Sequence, residues 1–109
     1  MKKDPQLFID HILECIELVE DYLNGKTVED FMASTQLQDA VIRRIEIIGE
    51  ATKNLPQDFK EKHVDIPWKE MAGMRDIIVH EYFGVDLKLT WRVATGDIKG
   101  LKAQLGKLR

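Results

Sequence analysis

Residues 4–25 read DPQLFIDHILECIELVEDYLNG, and their spacing decides the fold class. Leu7, Phe8, Ile12, Cys15, Ile16, Val19, Tyr22 and Leu23 recur one, three and four residues apart. That pattern is a broad apolar stripe on a helix. Asp4 suits the N-cap, Pro5 suits the first helical position, and Gly25 is a stop signal. The spacing therefore predicts a helix over residues 5–24. Its apolar face must be covered by other elements.

The partners are legible downstream. Thr27 with Asp30 resembles a capping box and predicts a short helical turn anchored in the core by Phe31 and Met32. Ser34 or Thr35 opens a long helix that ends near Leu55, because Pro56 disfavours helical geometry in the residue before it. Leu37, Val41, Ile45, Ile48, Ala51 and Thr52 form its inward face. Residues 57–65 are polar, with room for one short turn. Pro67 begins a further helix, expected to carry Met71, Met74, Ile77, Ile78 and Tyr82 and to stop around Gly84. Asp86 caps a last helix with a seam of Trp91, Ala94, Ile98, Leu101, Leu105 and Leu108. Gly96, Gly100 and Gly106 each weaken that helix by up to about 1 kcal/mol relative to Ala. No segment sustains period-two alternation with hairpin turn signals. The expected architecture is all-α, an up-and-down bundle of four to five helices, in a single domain over residues 1–109.

Composition narrows the function classes. The chain has 109 residues, 44% hydrophobic and 32% charged, which is globular. No apolar run approaches the roughly 20 residues of a membrane helix, and Asp10, His11 and Glu14 interrupt the apolar residues near the start, so neither a membrane span nor a signal peptide is expected. One cysteine, Cys15, cannot form an internal disulfide, and a reducing cytoplasm is the natural setting. The net charge of -3 argues against broad, nonspecific attraction to nucleic acid. It leaves room for an enzyme that handles RNA at one local cationic site.

Residues 73–84 read GMRDIIVHEYFG and carry the chemistry. They place a guanidinium (Arg75), a carboxylate (Asp76), an imidazole (His80) and a phenol (Tyr82) within eight residues. On a continuous helix Asp76 and His80 lie one turn apart, so the carboxylate can accept from a ring nitrogen and favour the imidazolium. Arg75 and Tyr82 also share a face. Arg75 and His80, five apart, are roughly 140° around a regular helix and cannot address one small group together. Either the helix unwinds towards Gly84, or a second copy of the chain completes the site across a two-fold axis.

The Arg75-x4-His80-x-Tyr82 spacing resembles the signature of the HepT-like family of HEPN-domain proteins. So do Gln38-Asp39-Ala40-Val41, Ile47-Ile48-Gly49-Glu50-Ala51, Ile66-Pro67-Trp68, and Val85-Asp86 followed by Trp91. The resemblance spans nearly the whole chain. It implies a helical homodimer whose two Arg-His motifs line a cleft at the dimer interface. It also implies a metal-independent ribonuclease that acts as a toxin paired with a minimal nucleotidyltransferase antitoxin. That partner would silence it by attaching adenylyl groups to Tyr82. One departure is visible: the residue after the motif arginine is often Asn in such proteins and is Asp76 here.

The residue types suit that chemistry. RNA cleavage by its own 2′-hydroxyl needs proton transfer near neutral pH, and histidine has an unperturbed pKa near 6.5. It also needs charge stabilisation at phosphorus, and arginine is a permanently charged planar fork. His80 is thus the candidate general base or acid, Arg75 the phosphate clamp, Asp76 the residue that orients His80, and Tyr82 the contact to phosphate or base and the modification target. Glu50 is a supporting candidate that approaches the motif helix and holds Arg75, with Gly49 permitting the close approach. No metal or cofactor is expected. The rival reading is a noncatalytic nucleotide- or partner-binding subunit of a nucleotidyltransferase complex, which the acidic balance and Asp76 favour. A plain dimerisation module is a third.

Other groups read more simply. His11 and Cys15 are too few for a metal site and are expected in or beside the core. His63 is expected to be solvated, Arg43 and Arg44 to pair with Glu46 and Glu50, Trp68 and Trp91 to anchor the core, and Lys102, Lys107 and Arg109 to form a solvated face.

Overall fold

The structure is a computed structural model that describes residues 4–80 and 84–108, the His80 side chain excepted. Its helices, in order, are α1 (Pro5–Leu23), α2 (Val28–Met32), α3 (Thr35–Lys53), α4 (Gln57–Lys62), α5 (Trp68–Ala72), α6 (Met74–Ile78), α7 (Leu87–Arg92) and α8 (Ile98–Gly106). A π-helical turn, Val93–Asp97, joins α7 to α8, and two-residue strands β1 (Val79–His80) and β2 (Gly84–Val85) lie between α6 and α7. The fold class is all-α, as the periodicity predicts. No helix among the described residues is long and apolar enough to cross a membrane.

Local chemistry sets the ends of the helices. Asp4 Oδ1 accepts from the Gln6 amide at 2.9 Å, and Gly25 follows α1 with φ +74°. The box at α2 is complete: the Asp30 amide donates to Thr27 Oγ1 at 3.1 Å and the Thr27 amide to Asp30 Oδ2 at 2.9 Å. These bonds hold the Asp30 carboxyl below its ordinary pKa. Ser34 Oγ caps α3 through the Leu37 amide at 3.1 Å. Asp86 Oδ1 caps α7 through the Leu89 amide at 3.0 Å.

The core forms between α1 and α3, the most extensive helix pairing, with α8 closing on α1 and with α5 and α6 packed along α3. Ile9, Ile12, Leu13, Ile16 and Val19 of α1 meet Val41, Ile45 and Ile48 of α3, and all are buried. Trp68 locks α4 to α5 by donating from Nε1 to the carbonyls of His63 (3.0 Å) and Lys60 (3.2 Å). Trp91 packs on Phe31 with ring centroids 5.6 Å apart. Both tryptophans are therefore packing anchors.

Several expectations change. Leu7 and Met32 are exposed rather than inward, while Ile9 and Leu13 take up α1's buried face. His63 is half-buried against Phe59, with rings 4.8 Å apart. Lys102 donates to Glu20 at 2.7 Å, tying α8 to α1, and that contact raises its pKa. His11 is exposed while Cys15 is fully buried, so only the cysteine belongs to the core. Arg44, expected to pair with a carboxylate, places Nη1 3.9 Å from Cys15 Sγ, and its Nε is buried with no hydrogen-bond partner among the described residues.

The largest correction concerns the motif segment. One helix is expected from Pro67 to Gly84, but Gly73 divides α5 from α6, and α6 ends at Ile78. Ile77, Ile78 and Val79 are consecutive β-branched residues, which disfavour helix and suit extended backbone. Val79 and His80 pair antiparallel with Val85 and Gly84. Gly84 has φ +78°, open to glycine at little cost. Ile77, expected inward, is 50% exposed, while Ile78 is fully buried.

Two measurements test this packing. A Cβ at Gly49 would lie 3.2 Å from the Ala72 carbonyl oxygen and 3.5 Å from that of Met71. Gly49→Val is expected to lower stability by about 1–3 kcal/mol in thermal or urea unfolding. Burial pushes the Cys15 thiol up, and the Arg44 guanidinium only partly opposes it. Cys15 should resist thiol-specific reagents at pH 8 in the native protein and react fully in denaturant.

Candidate functional site

Gly49 begins the site. Its missing side chain lets the backbone of α5 rest on α3, with the Ala72 carbonyl oxygen 3.2 Å from where a Cβ would stand, tighter than ordinary van der Waals contact. That contact carries α6 into line with the face of α3 formed by Glu46, Gly49, Glu50 and Lys53. These positions are three or four residues apart and share one side of the helix. The result is a shallow cleft of about 220 Å³ lined by Glu46, Gly49, Glu50, Lys53, Ala72, Arg75 and Asp76.

Arg75 is half-exposed at the cleft. Its Nε lies 3.6 Å from Glu46 Oε2, and its Nη1 lies 3.7 Å from Asp76 Oδ1. Both contacts are partly solvated, with Glu46 38% and Asp76 70% exposed. Exposed pairs of this kind are worth about 0–1 kcal/mol, enough to bias a side chain's direction and too little to lock it. A guanidinium so placed keeps N–H donors available to an incoming anion. Lys53 is a second exposed cation on the same cleft.

The candidates from sequence are thus partly gathered. Arg75, Asp76 and Glu50 share the cleft. Glu50, expected to hold Arg75, lines the wall, but the carboxylate that reaches the arginine is that of Glu46, one turn earlier on α3. The one-turn relation expected between Asp76 and His80 required a helix through residue 80, and α6 ends two residues short of it. Asp76 faces Arg75 instead. The unwinding offered as one solution to the Arg75–His80 geometry does occur, and the His80 backbone lies in β1 opposite Gly84. The His80 side chain and Tyr82 lie outside the described residues.

Glu46 was missed because it was assigned to an ordinary pair within its own helix. The signal was present in the sequence: residues 46, 49, 50 and 53 form one helical stripe centred on a glycine. Glu46 and Glu50 also border a second hollow of about 410 Å³ between α1 and α3, lined by Phe8, His11, Arg43, Ile47, Ala51 and Asn54. The two carboxylates form the ridge between the hollows. Among the described residues, no group of three or more His, Cys, Asp or Glu side chains is placed to hold a metal ion.

Comparison with known proteins identifies the family. The family described as "Ribonuclease HepT-like" matches residues 12–108. A Methanocaldococcus jannaschii protein named "Gamma-glutamylcyclotransferase and putative RNase" is 59% identical over 108 residues, covering 99% of this chain and 49% of that protein. This chain thus spans about half the length of that relative. A Thermococcus cleftensis protein named "Probable ribonuclease HepT" is 48% identical over 109 residues, covering 100% of this chain and 99% of that one. A "Putative RNase" of Caldanaerobacter subterraneus is 43% identical over 106 residues, covering 97% and 95%. No solved structure gives a significant match. An all-helical fold and sequence matches across almost its full length place this chain in the HepT-like ribonuclease family.

Proposed function

We propose that this protein is a metal-independent endoribonuclease, the toxin of a toxin–antitoxin pair, whose partner is a minimal nucleotidyltransferase that silences it by adenylylating Tyr82. Membership of a ribonuclease family supports the substrate class. The observation that carries the reading furthest is Arg75, a half-exposed guanidinium at the head of the Arg75-x4-His80-x-Tyr82 motif, paired with Glu46 at Nε and with the exposed Asp76 at Nη1.

The reaction follows from the residue types. One His80 takes the proton from a 2′-hydroxyl, and the 2′-oxygen attacks the adjacent phosphorus. The bond to the 5′-oxygen breaks, and that oxygen leaves with a proton from a second imidazole. The products are a 2′,3′-cyclic phosphate and a 5′-hydroxyl. Arg75 forks the non-bridging oxygens as negative charge builds on them. A homodimer supplies two histidines to divide the base and acid roles. Asp76 remains in the site beside Arg75, whose charge offsets the repulsion its carboxylate would exert on phosphate. The setting is the cytoplasm, where Cys15 stays reduced.

A second reading, a noncatalytic nucleotide- or partner-binding subunit, draws on the three carboxylates, Glu46, Glu50 and Asp76, that surround Arg75. One experiment separates the two. Purified wild type and His80→Ala are incubated with defined single-stranded RNAs in EDTA. Wild type is expected to cut, leaving cyclic phosphate ends, and the variant to be slower by about 10²–10⁴-fold, the scale of a lost general acid–base group. Equal background cleavage from both would leave the binding subunit as the better account. For the modification, ATP, Mg²⁺ and the nucleotidyltransferase should raise the mass of wild type in steps of one adenylyl group and leave Tyr82→Phe unchanged. The same mass gain in the variant would remove Tyr82 from the role.

A further inference from the structure

Of the two carboxylates beside Arg75, only one belongs to a different part of the fold. Asp76 is its neighbour on a five-residue helix and moves with it. Glu46 lies on the 19-residue α3, between the fully buried Ile45 and Ile48, which fix the helix in the core. The separation of α3 from the motif segment is itself set by backbone contact, with the Ala72 carbonyl 3.2 Å from where a Gly49 Cβ would sit. Glu46 Oε2 then stands 3.6 Å from Arg75 Nε.

We infer that Glu46 is the positioning residue for Arg75, holding the guanidinium by its Nε edge so that the Nη edge is presented to an RNA phosphate. The inference rests on reading Arg75 as the phosphate clamp. Arginine has five donors in a rigid planar fork, and a contact at Nε restrains that side of it while the end-on pair of Nη groups remains to meet an anion. At 3.6 and 3.7 Å the Glu46 and Asp76 contacts are both ion pairs longer than a hydrogen bond, but Asp76 is 70% exposed against 38% for Glu46 and sits on the Nη edge, so it is the one a phosphate oxygen displaces. Glu46 therefore orders the clamp before substrate arrives. Substrate competes with Asp76 and leaves Glu46 in place.

A purely repulsive Glu46 would have the opposite signature, since its removal would tighten RNA binding and raise turnover at low substrate. The test compares wild type, Glu46→Gln, Glu46→Asp and, as a control for net charge, Glu61→Gln on the separate helix α4. Steady-state cleavage of a defined RNA in EDTA gives kcat and KM, and thermal unfolding checks that each variant is folded. Glu46→Gln is expected to lower kcat about three- to five-fold, the scale of one exposed ion pair, with little change in KM. Glu46→Asp should recover part of the loss, and Glu61→Gln should match wild type. An unchanged or raised kcat in Glu46→Gln, or an equal loss in Glu61→Gln, would overturn the assignment. The nitrogen–proton signal of Arg75 Nε, read by NMR without RNA, keeps this separate from the nuclease reading. Faster exchange with water in Glu46→Gln upholds the tether even where no RNA is cut, and identical exchange in both proteins overturns it.

Discussion

The close approach of α5 to α3 at Gly49 is the constraint on which the site depends. With no Cβ at this position, the Met71 and Ala72 carbonyls lie against the helix surface. Close packing of that kind leaves little slack, because interiors accommodate added volume only by shifting neighbours. Everything C-terminal to that contact inherits its position: Gly73, the short α6, the arginine and the ladder that begins at Val79. Glu46 and Glu50 flank Gly49 on the same side of α3, so the glycine also determines which acidic groups Arg75 can meet.

The second constraint is the early end of α6. Buried Met74 and Ile78 anchor the helix to the bundle, while Arg75, Asp76 and Ile77 remain outward. The Val79 amide closes on the Arg75 carbonyl, and the Asp86 amide donates to the Ile78 carbonyl at 2.6 Å. Those bonds satisfy the end of a helix that would otherwise expose unpaired carbonyls. They also bring the chain back towards the Asp86 cap of α7. Residues 75–80 thus lie on backbone that changes from helical to extended after Ile78.

The electrostatics of the cleft are mixed rather than basic. Arg75 and Lys53 share it with Glu46, Glu50 and Asp76. An anion would be drawn to a specific donor edge rather than to a broad field, consistent with a chain whose net charge is -3. Selectivity in such a site comes from donor geometry, because long-range attraction is weak and screened beyond about 10 Å at 0.1 M salt. That makes the orientation of the arginine matter more than the number of positive charges around it.

The sequence alone determined the all-α class, the two long amphipathic helices and most of their buried faces, the caps at Asp4, Thr27, Ser34 and Asp86, and the place of Arg75 at the head of the motif. These are local properties. Helical periodicity and capping are written in residues a few positions apart, and the family resemblance is written in the same short-range patterns. Tertiary structure decided that Glu46 and not Glu50 meets Arg75, that Asp76 faces the arginine, that Ile77 points outward, that Arg44 reaches Cys15 and that the motif helix stops at Ile78. Each depends on the distance and rotation between helices far apart in the chain. Periodicity identifies which side of a helix is inward, but not which residue of a neighbouring helix stands opposite. That register was set by packing, and above all by how closely α5 comes to rest on Gly49.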